Sequence, residues 1–175
     1  MSAIVGLALC AGGCAASHKT VRNSAPTAPL PAVAAGNPPD AAPAPIDRGA
    51  LMVERAVSML GQPYRYGGTA PGGFDCSGLV AYAAAGAGIP LPRTTEELLQ
   101  SGDAVARADI QAADLVFMRL AHKVLHVGIA IDGVRFVHAP SSGGIVRIDS
   151  LAEAPYSRGF LAARRVVDGS ADSAP

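Results

Sequence analysis

Cysteine is scarce in this chain. Of three in 175 residues, Cys10 and Cys14 lie at the N-terminus and only Cys76 lies beyond them. The chain after Cys14 therefore has no second thiol with which to form an internal disulfide. In an oxidising compartment an unpaired thiol needs another reason to be there, and reactivity is one. Charge of one sign is lacking too, because Lys+Arg 14 balance Asp+Glu 14. That balance argues against a nucleic-acid binder, which carries a basic patch. Long hydrophobic runs are also missing. The apolar and small residues from Ala3 to Ala16 fall short of the roughly 18 needed to span a bilayer. What is present is an apolar half of the composition. Alanine supplies much of it and buries little area, but enough remains for a packed core.

Composition divides the chain into segments. Residues 1–17 read as a secretion signal with an apolar core. Ala11-Gly12-Gly13-Cys14 resembles a bacterial lipoprotein processing site. The resemblance implies that Cys14 becomes a lipidated first residue and anchors the protein to a membrane in the periplasm. With Ala15 rather than aspartate following, sorting is expected to the outer membrane. A simple secreted protein and a short buried helix are the alternative readings of this stretch. Residues 18–48, rich in Pro and Ala, cannot bury enough surface to order themselves and read as an extended tether. His18 belongs to that tether and is assigned no role. Residues 49–168 form one domain of ordinary size, and residues 169–175 a disordered tail.

Within the domain, Asp47 is a plausible N-cap for a helix to Leu60, with Val53, Ala56, Val57 and Leu60 inward and Gly61 and Pro63 stopping it. The stretch 62–73 reads as loop. A second helix runs from Cys76 to about Ala87, with Leu79, Val80, Tyr82 and Ala83 inward. Thr94 and Glu97 make a capping box for a short third helix ending near Gly102. Strand-like runs follow at 114–120, 126–131, 134–138, 145–148 and 159–167. Helices first and strands later predict an α+β fold, with an antiparallel sheet of five to six strands packed on the helix that begins at Cys76.

Cys76 opens a helix, where unpaired N–H groups and the helix dipole favour a thiolate. A neighbouring imidazole would carry the proton. Two histidines flank the hairpin signal Asp132-Gly133. A two-residue loop would put His126 and His138 on opposite faces. A three-residue loop, Ile131-Asp132-Gly133 with Gly133 left-handed, sets them directly opposite each other on one face. That register is the expectation, with His126 as base and His138 as its orienting partner. The backbone N–H of Cys76, or a hydroxyl from Tyr64 or Tyr66, is the expected oxyanion donor.

Six blocks then carry a resemblance. They are Gly61 to Gly68, Phe74-Asp75-Cys76-Ser77-Gly78-Leu79-Val80, Leu91-Pro92-Arg93-Thr94, Asp114-Leu115-Val116-Phe117, His126-Val127-Gly128-Ile129 and Val137-His138-Ala139-Pro140. In order and spacing they resemble the NlpC family of bacterial cell-wall cysteine peptidases. The resemblance implies a papain-like fold and cleavage of peptidoglycan stem peptides between D-glutamate and the diamino acid. It implies Cys76 as nucleophile, His126 as base, His138 in the third position, and Tyr64 on the oxyanion side. Asp75, Ser77, Tyr66 and Arg93 are the expected substrate-binding residues, although Arg93 and Asp114 also suit structural roles. Tyr66 stands where tryptophan is common, and Ala113 where glycine often precedes the Asp-Leu-Val-Phe run.

Other readings stand beside this one. The fold could serve as a non-catalytic peptidoglycan-binding lipoprotein, or the same residues could serve a different acyl transfer or amidase reaction. His122 is an alternative base. A metal site at Cys76, His126 and His138 would lack the close ligand spacing of zinc sites, so no metal and no cofactor is expected. The expected partners are stem peptides and, through Cys14, a membrane. The chain is expected to be a monomer.

Overall fold

The computed structural model describes residues 46–120, 124–141 and 144–167. The expected signal, the lipidation site Cys14, the tether, His122 and the tail lie outside them. Helix α1 spans Arg48–Val57, and Asp47 caps it by accepting from the N–H of Ala50 at 2.9 Å. The helix ends before Leu60, which is 42% exposed rather than inward, and Met52 and Ala56 make the buried face. The expected loop at 62–73 contains a small hairpin, β1 (Thr69–Ala70) and β2 (Gly73–Phe74). Two glycines with positive φ, Gly72 and Gly73, turn it.

Helix α2 spans Cys76–Gly86. Asp75 is its N-cap, accepting from the N–H of Gly78 at 2.6 Å. Leu79, Val80, Ala83 and Ala84 are buried along it, while Tyr82 is only half-buried. Helix α3 (Thr95–Leu99) has the expected capping box, with Thr94 and Glu97 bonding each other's backbone N–H. It stops at Gln100, short of Gly102.

Strands β3 (Asp103–Val105), β4 (Leu115–Arg119), β5 (Leu125–Ala130), β6 (Arg135–His138) and β7 (Arg147–Ser150) follow. A short helix α4 (Tyr156–Gly159) then leads into β8 (Phe160–Arg165). The large sheet has six strands in the order β3-β8-β4-β5-β6-β7, with antiparallel pairing throughout. β3 carried no apolar alternation and escaped the sequence reading. β7 lies two residues later than expected, because Ile145 pairs instead with Pro63 in an isolated bridge.

Alternation along the strands gives the sheet two apolar faces. Leu115, Phe117, Val127, Ile129 and Val137 join Met52, Phe74, Leu79, Val80 and Leu98 in one cluster. Val116, Met118, Ala130, Phe136, Tyr156 and Ala163 form the other. Helices α2 and α3 both pack on β5. Phe74, Phe117 and Phe136 are fully buried, each contributing about 2–3 kcal/mol of transfer free energy.

The β5–β6 hairpin differs from the expected register. Ile129 pairs with Val137 and Ala130 with Phe136, so His138 lies across from Gly128, not His126. The loop is Asp132-Gly133-Val134, closed by Ile131 N–H to Arg135 O at 2.8 Å, and Gly133 is not left-handed. The physical reason is Asp132. Its carboxylate accepts from the N–H groups of Val134 (2.8 Å) and Arg135 (2.7 Å), an Asx-type turn that needs no left-handed glycine. The slip is two residues, so both imidazoles remain on one face, as expected.

Candidate active site

Cys76 is the first residue of α2 and is half-buried. Its Sγ lies 3.7 Å from Oγ1 of Thr95, the first residue of α3. Thr95 is buried at 7% exposure, and among the described residues its hydroxyl has no other hydrogen bond. Sequence reasoning missed Thr95. It follows the capping threonine and reads there as an ordinary helix-start residue.

Asp75 gathers three segments at the thiol. Its Oδ1 accepts from Gly78 and its Oδ2 from the N–H of Gly67 at 2.9 Å. Arg93 Nη2 also reaches Oδ2, at 2.6 Å, while Arg93 Nη1 donates to Ser77 Oγ at 2.8 Å. Arg93 thus offsets the charge of the carboxylate on the residue that precedes Cys76. The loop and the helix touch backbone to backbone: a Cβ on Gly78 would sit 1.9 Å from the carbonyl oxygen of Gly68. Asp114 has a structural role, paired with Arg165 through both carboxylate oxygens at 2.8 Å.

Tyr64 is half-buried, packed against the larger cluster. Burial raises its phenol pKa, and the nearby Cys76 and Asp75 raise it further. The hydroxyl therefore stays protonated and can donate. Tyr66 is 95% exposed and projects into solvent.

His126 and His138 are buried at 2% and 0% exposure. Nε2 of His126 lies 2.7 Å from Nδ1 of His138, with the rings edge to face. Burial lowers the His126 pKa to about 3, helped by His138 and Arg147. His138 is also lowered by burial, although Asp149 opposes the shift. Both rings are thus neutral at pH 7. On the far side of His138, its Nε2 meets Asp149 Oδ2 at 2.8 Å. Asp149 was not anticipated. Burial acts to raise its carboxyl, but bonds from Tyr156, Arg147 and His138 outweigh this and hold it at about 2. Among the described residues no hydrogen bond joins Cys76 to either imidazole. A shallow groove along the outside of α2, lined by Ala81, Ala85, Gly88, Ile89, Pro90 and Leu91, offers no titratable group.

A thiol at a helix start, a pair of buried neutral imidazoles on an antiparallel sheet and a protonated phenol are group types that thiol-dependent acyl transfer uses. The sequence model of the NlpC/P60 family matches residues 61–165. The chain belongs to that family. It is 37% identical over 123 residues to the protein named murein DD-endopeptidase MepH of Escherichia coli K12, covering 67% of this chain and 45% of that one. A crystal structure of an NlpC/P60 family protein from Bacillus cereus superposes with a TM-score of 0.63 at 29% identity, covering 67% of this chain and 40% of the other. The NlpC/P60 domain of the peptidoglycan hydrolase SagA superposes at 0.58 and 30% identity, covering 67% of this chain and 97% of that domain. The chain spans about half the length of MepH.

Proposed function

We propose that the protein is a cysteine endopeptidase acting on a stem-peptide amide of peptidoglycan. The observation that carries this is the coexistence of the Cys76 thiol at the start of α2 with the buried, neutral His126–His138 pair. The family and the name of the relative MepH supply the substrate class. In this reading His126 takes the thiol proton and sulfur attacks the amide carbon. The imidazolium returns the proton to the leaving amine as the C–N bond breaks, and water then hydrolyses the thioester. In this reading the thiol–imidazole hydrogen bond forms in the substrate complex, as catalytic hydrogen bonds that are long or unaligned without substrate commonly do. Tyr64, or the Cys76 N–H, donates to the oxyanion. Asp75, Ser77 and Arg93 line the substrate side of the thiol, and exposed Tyr66 stands ready as a surface for the peptide.

The same reading extends to the whole chain. Residues 1–17 are a signal, lipidated Cys14 anchors the protein in the periplasm at the outer membrane, and residues 18–48 tether the domain of residues 49–168. The cut between D-glutamate and the diamino acid is one candidate bond, and the DD bond in the name of MepH is the other. Purified peptidoglycan and defined muropeptides, digested and read by mass spectrometry, test both. Wild type should release fragments of one of these two classes, and Cys76→Ala should release none. Cleavage by Cys76→Ala at the wild-type rate would end the proposal.

A further inference from the structure

His138 meets His126 through one ring nitrogen and leaves the other for a second partner. Its neighbours on β7 fix which ring nitrogens carry hydrogen. Strand pairing sets His138 against Arg147 and Phe136 against Asp149, so Arg147, Asp149 and His138 share one face of the sheet. There Asp149 Oδ2 receives Arg147 Nε at 2.8 Å, the Tyr156 hydroxyl at 2.6 Å and His138 Nε2 at 2.8 Å. Arg147 Nη2 also donates to the Tyr156 oxygen at 3.1 Å, closing a ring of bonds around the carboxylate.

We propose that Asp149, held by Arg147 and Tyr156, is a positioning residue that sets the tautomer of both imidazoles and thereby makes Nδ1 of His126 the basic atom. Arginine can only donate, and an ionised carboxylate can only accept. Nε2 of His138 therefore carries its hydrogen toward Asp149. A neutral imidazole has one N–H, so Nδ1 of His138 is a lone pair. That lone pair faces Nε2 of His126 at 2.7 Å. Two lone pairs cannot meet at that distance, so Nε2 of His126 is also an N–H. The remaining lone pair in the chain is on Nδ1 of His126. When Nδ1 takes the thiol proton, the S–H bond breaks, an N–H bond forms, and the new imidazolium still donates through Nε2 to His138. The charge it carries is balanced through His138 by the Asp149 carboxylate. Removing the carboxylate frees both rings to reverse, and a reversed His126 presents an N–H where a base is required. An aspartate that fixes a histidine tautomer in this way has large effects on turnover in other hydrolases.

The assignment of a base rests on reading Cys76 and His126 as nucleophile and base; the tautomers do not. The test is nitrogen-15 NMR of the full chain with labelled histidine, in the absence of substrate. In wild type both His126 and His138 should show hydrogen on Nε2 and a lone pair on Nδ1. A wild-type His126 with hydrogen on Nδ1 overturns the proposal whatever the variants do. In Asp149→Ala both rings should show mixed tautomers, and kcat for muropeptide cleavage should fall about 10- to 100-fold with KM unchanged. An Asp149→Ala protein that is folded and keeps a single Nε2–H tautomer on both rings also overturns it. If the wild-type tautomers are as stated and no muropeptide is cleaved, the positioning role stands and the peptidase reading fails.

Discussion

Thr95 and Cys76 show how a single side chain is given a task by what is missing around it. A buried hydroxyl without a partner costs about 1–3 kcal/mol, and the polar neighbour that Thr95 Oγ1 has is the sulfur at 3.7 Å. Toward a thiolate the hydroxyl can only be the donor, so it stabilises the reactive form. Thr95→Val is expected to slow alkylation of Cys76 by iodoacetamide at pH 7 roughly tenfold, the lower end for a hydrogen bond to a charged group. Thr95→Ser should restore it. Equal rates in all three proteins would assign the hydroxyl no part in the thiol's reactivity. At this scale much of the site was legible. Cys76 stood out by scarcity, and its helix start was marked by the apolar run after it. Asp149 was not legible. Arg147-Ile148-Asp149-Ser150 alternates like any strand, and its meaning depends on a diagonal neighbour one strand away. Only the β6–β7 register reveals that neighbour.

The element that decides whether the imidazoles meet is the β5–β6 hairpin. Its strands and shared face were legible from period and from the parity of the loop. Its register was not, because the side chain of Asp132 closes the turn one residue further along than a left-handed glycine would. The outcome leaves Gly128 across from His138. A Cβ at Gly128 would lie 2.6 Å from Phe136 Cδ2, 3.0 Å from Val137 O and 3.2 Å from His138 Cβ. Phe136 is fully buried between Tyr156 and His138 and has nowhere to go. Gly128→Ala should therefore lower stability by about 1–3 kcal/mol and lengthen the His126–His138 bond. Calorimetry and the downfield imidazole proton resonance measure the two effects. An unchanged melting temperature would mean that the hairpin yields more easily than its packing implies.

For the whole molecule, the buried imidazoles couple folding to pH. His126 titrates at 6.5 in its ordinary state and at about 3 in the fold. Between those values the unfolded chain binds a proton that the folded chain refuses. Stability is therefore fully present above pH 6.5 and is lost as pH falls toward 3. His138, lowered by the same burial, adds in the same direction. Asp149, held at about 2 against an ordinary 3.8, extends the loss below pH 4. The slope for one buried imidazole is about 1.4 kcal/mol per pH unit. The melting temperature should fall steadily from pH 6.5 to pH 4 and be nearly flat from pH 6.5 to pH 8. A flat profile down to pH 4 would contradict neutral buried rings. The fold class and the packing of α2 on the sheet were legible at this scale, because helical period gives way to strand period halfway along the domain. The hairpin at Thr69–Phe74 and strand β3 were not, since both are short and largely polar or glycine-rich, and only tertiary contacts order them.

The Asp75 carboxylate has one further consequence. It gathers Gly67, Gly78 and Arg93, while the imidazole chain ends at Asp149 and Tyr156 near the close of the domain. A chain that has made α2 but not β7 has the Cys76 thiol at its helix start while His138 still lacks Asp149. The connectivity thus separates the two halves of the candidate site: the carboxylate that holds the imidazole pair comes from β7, long after the thiol in the chain.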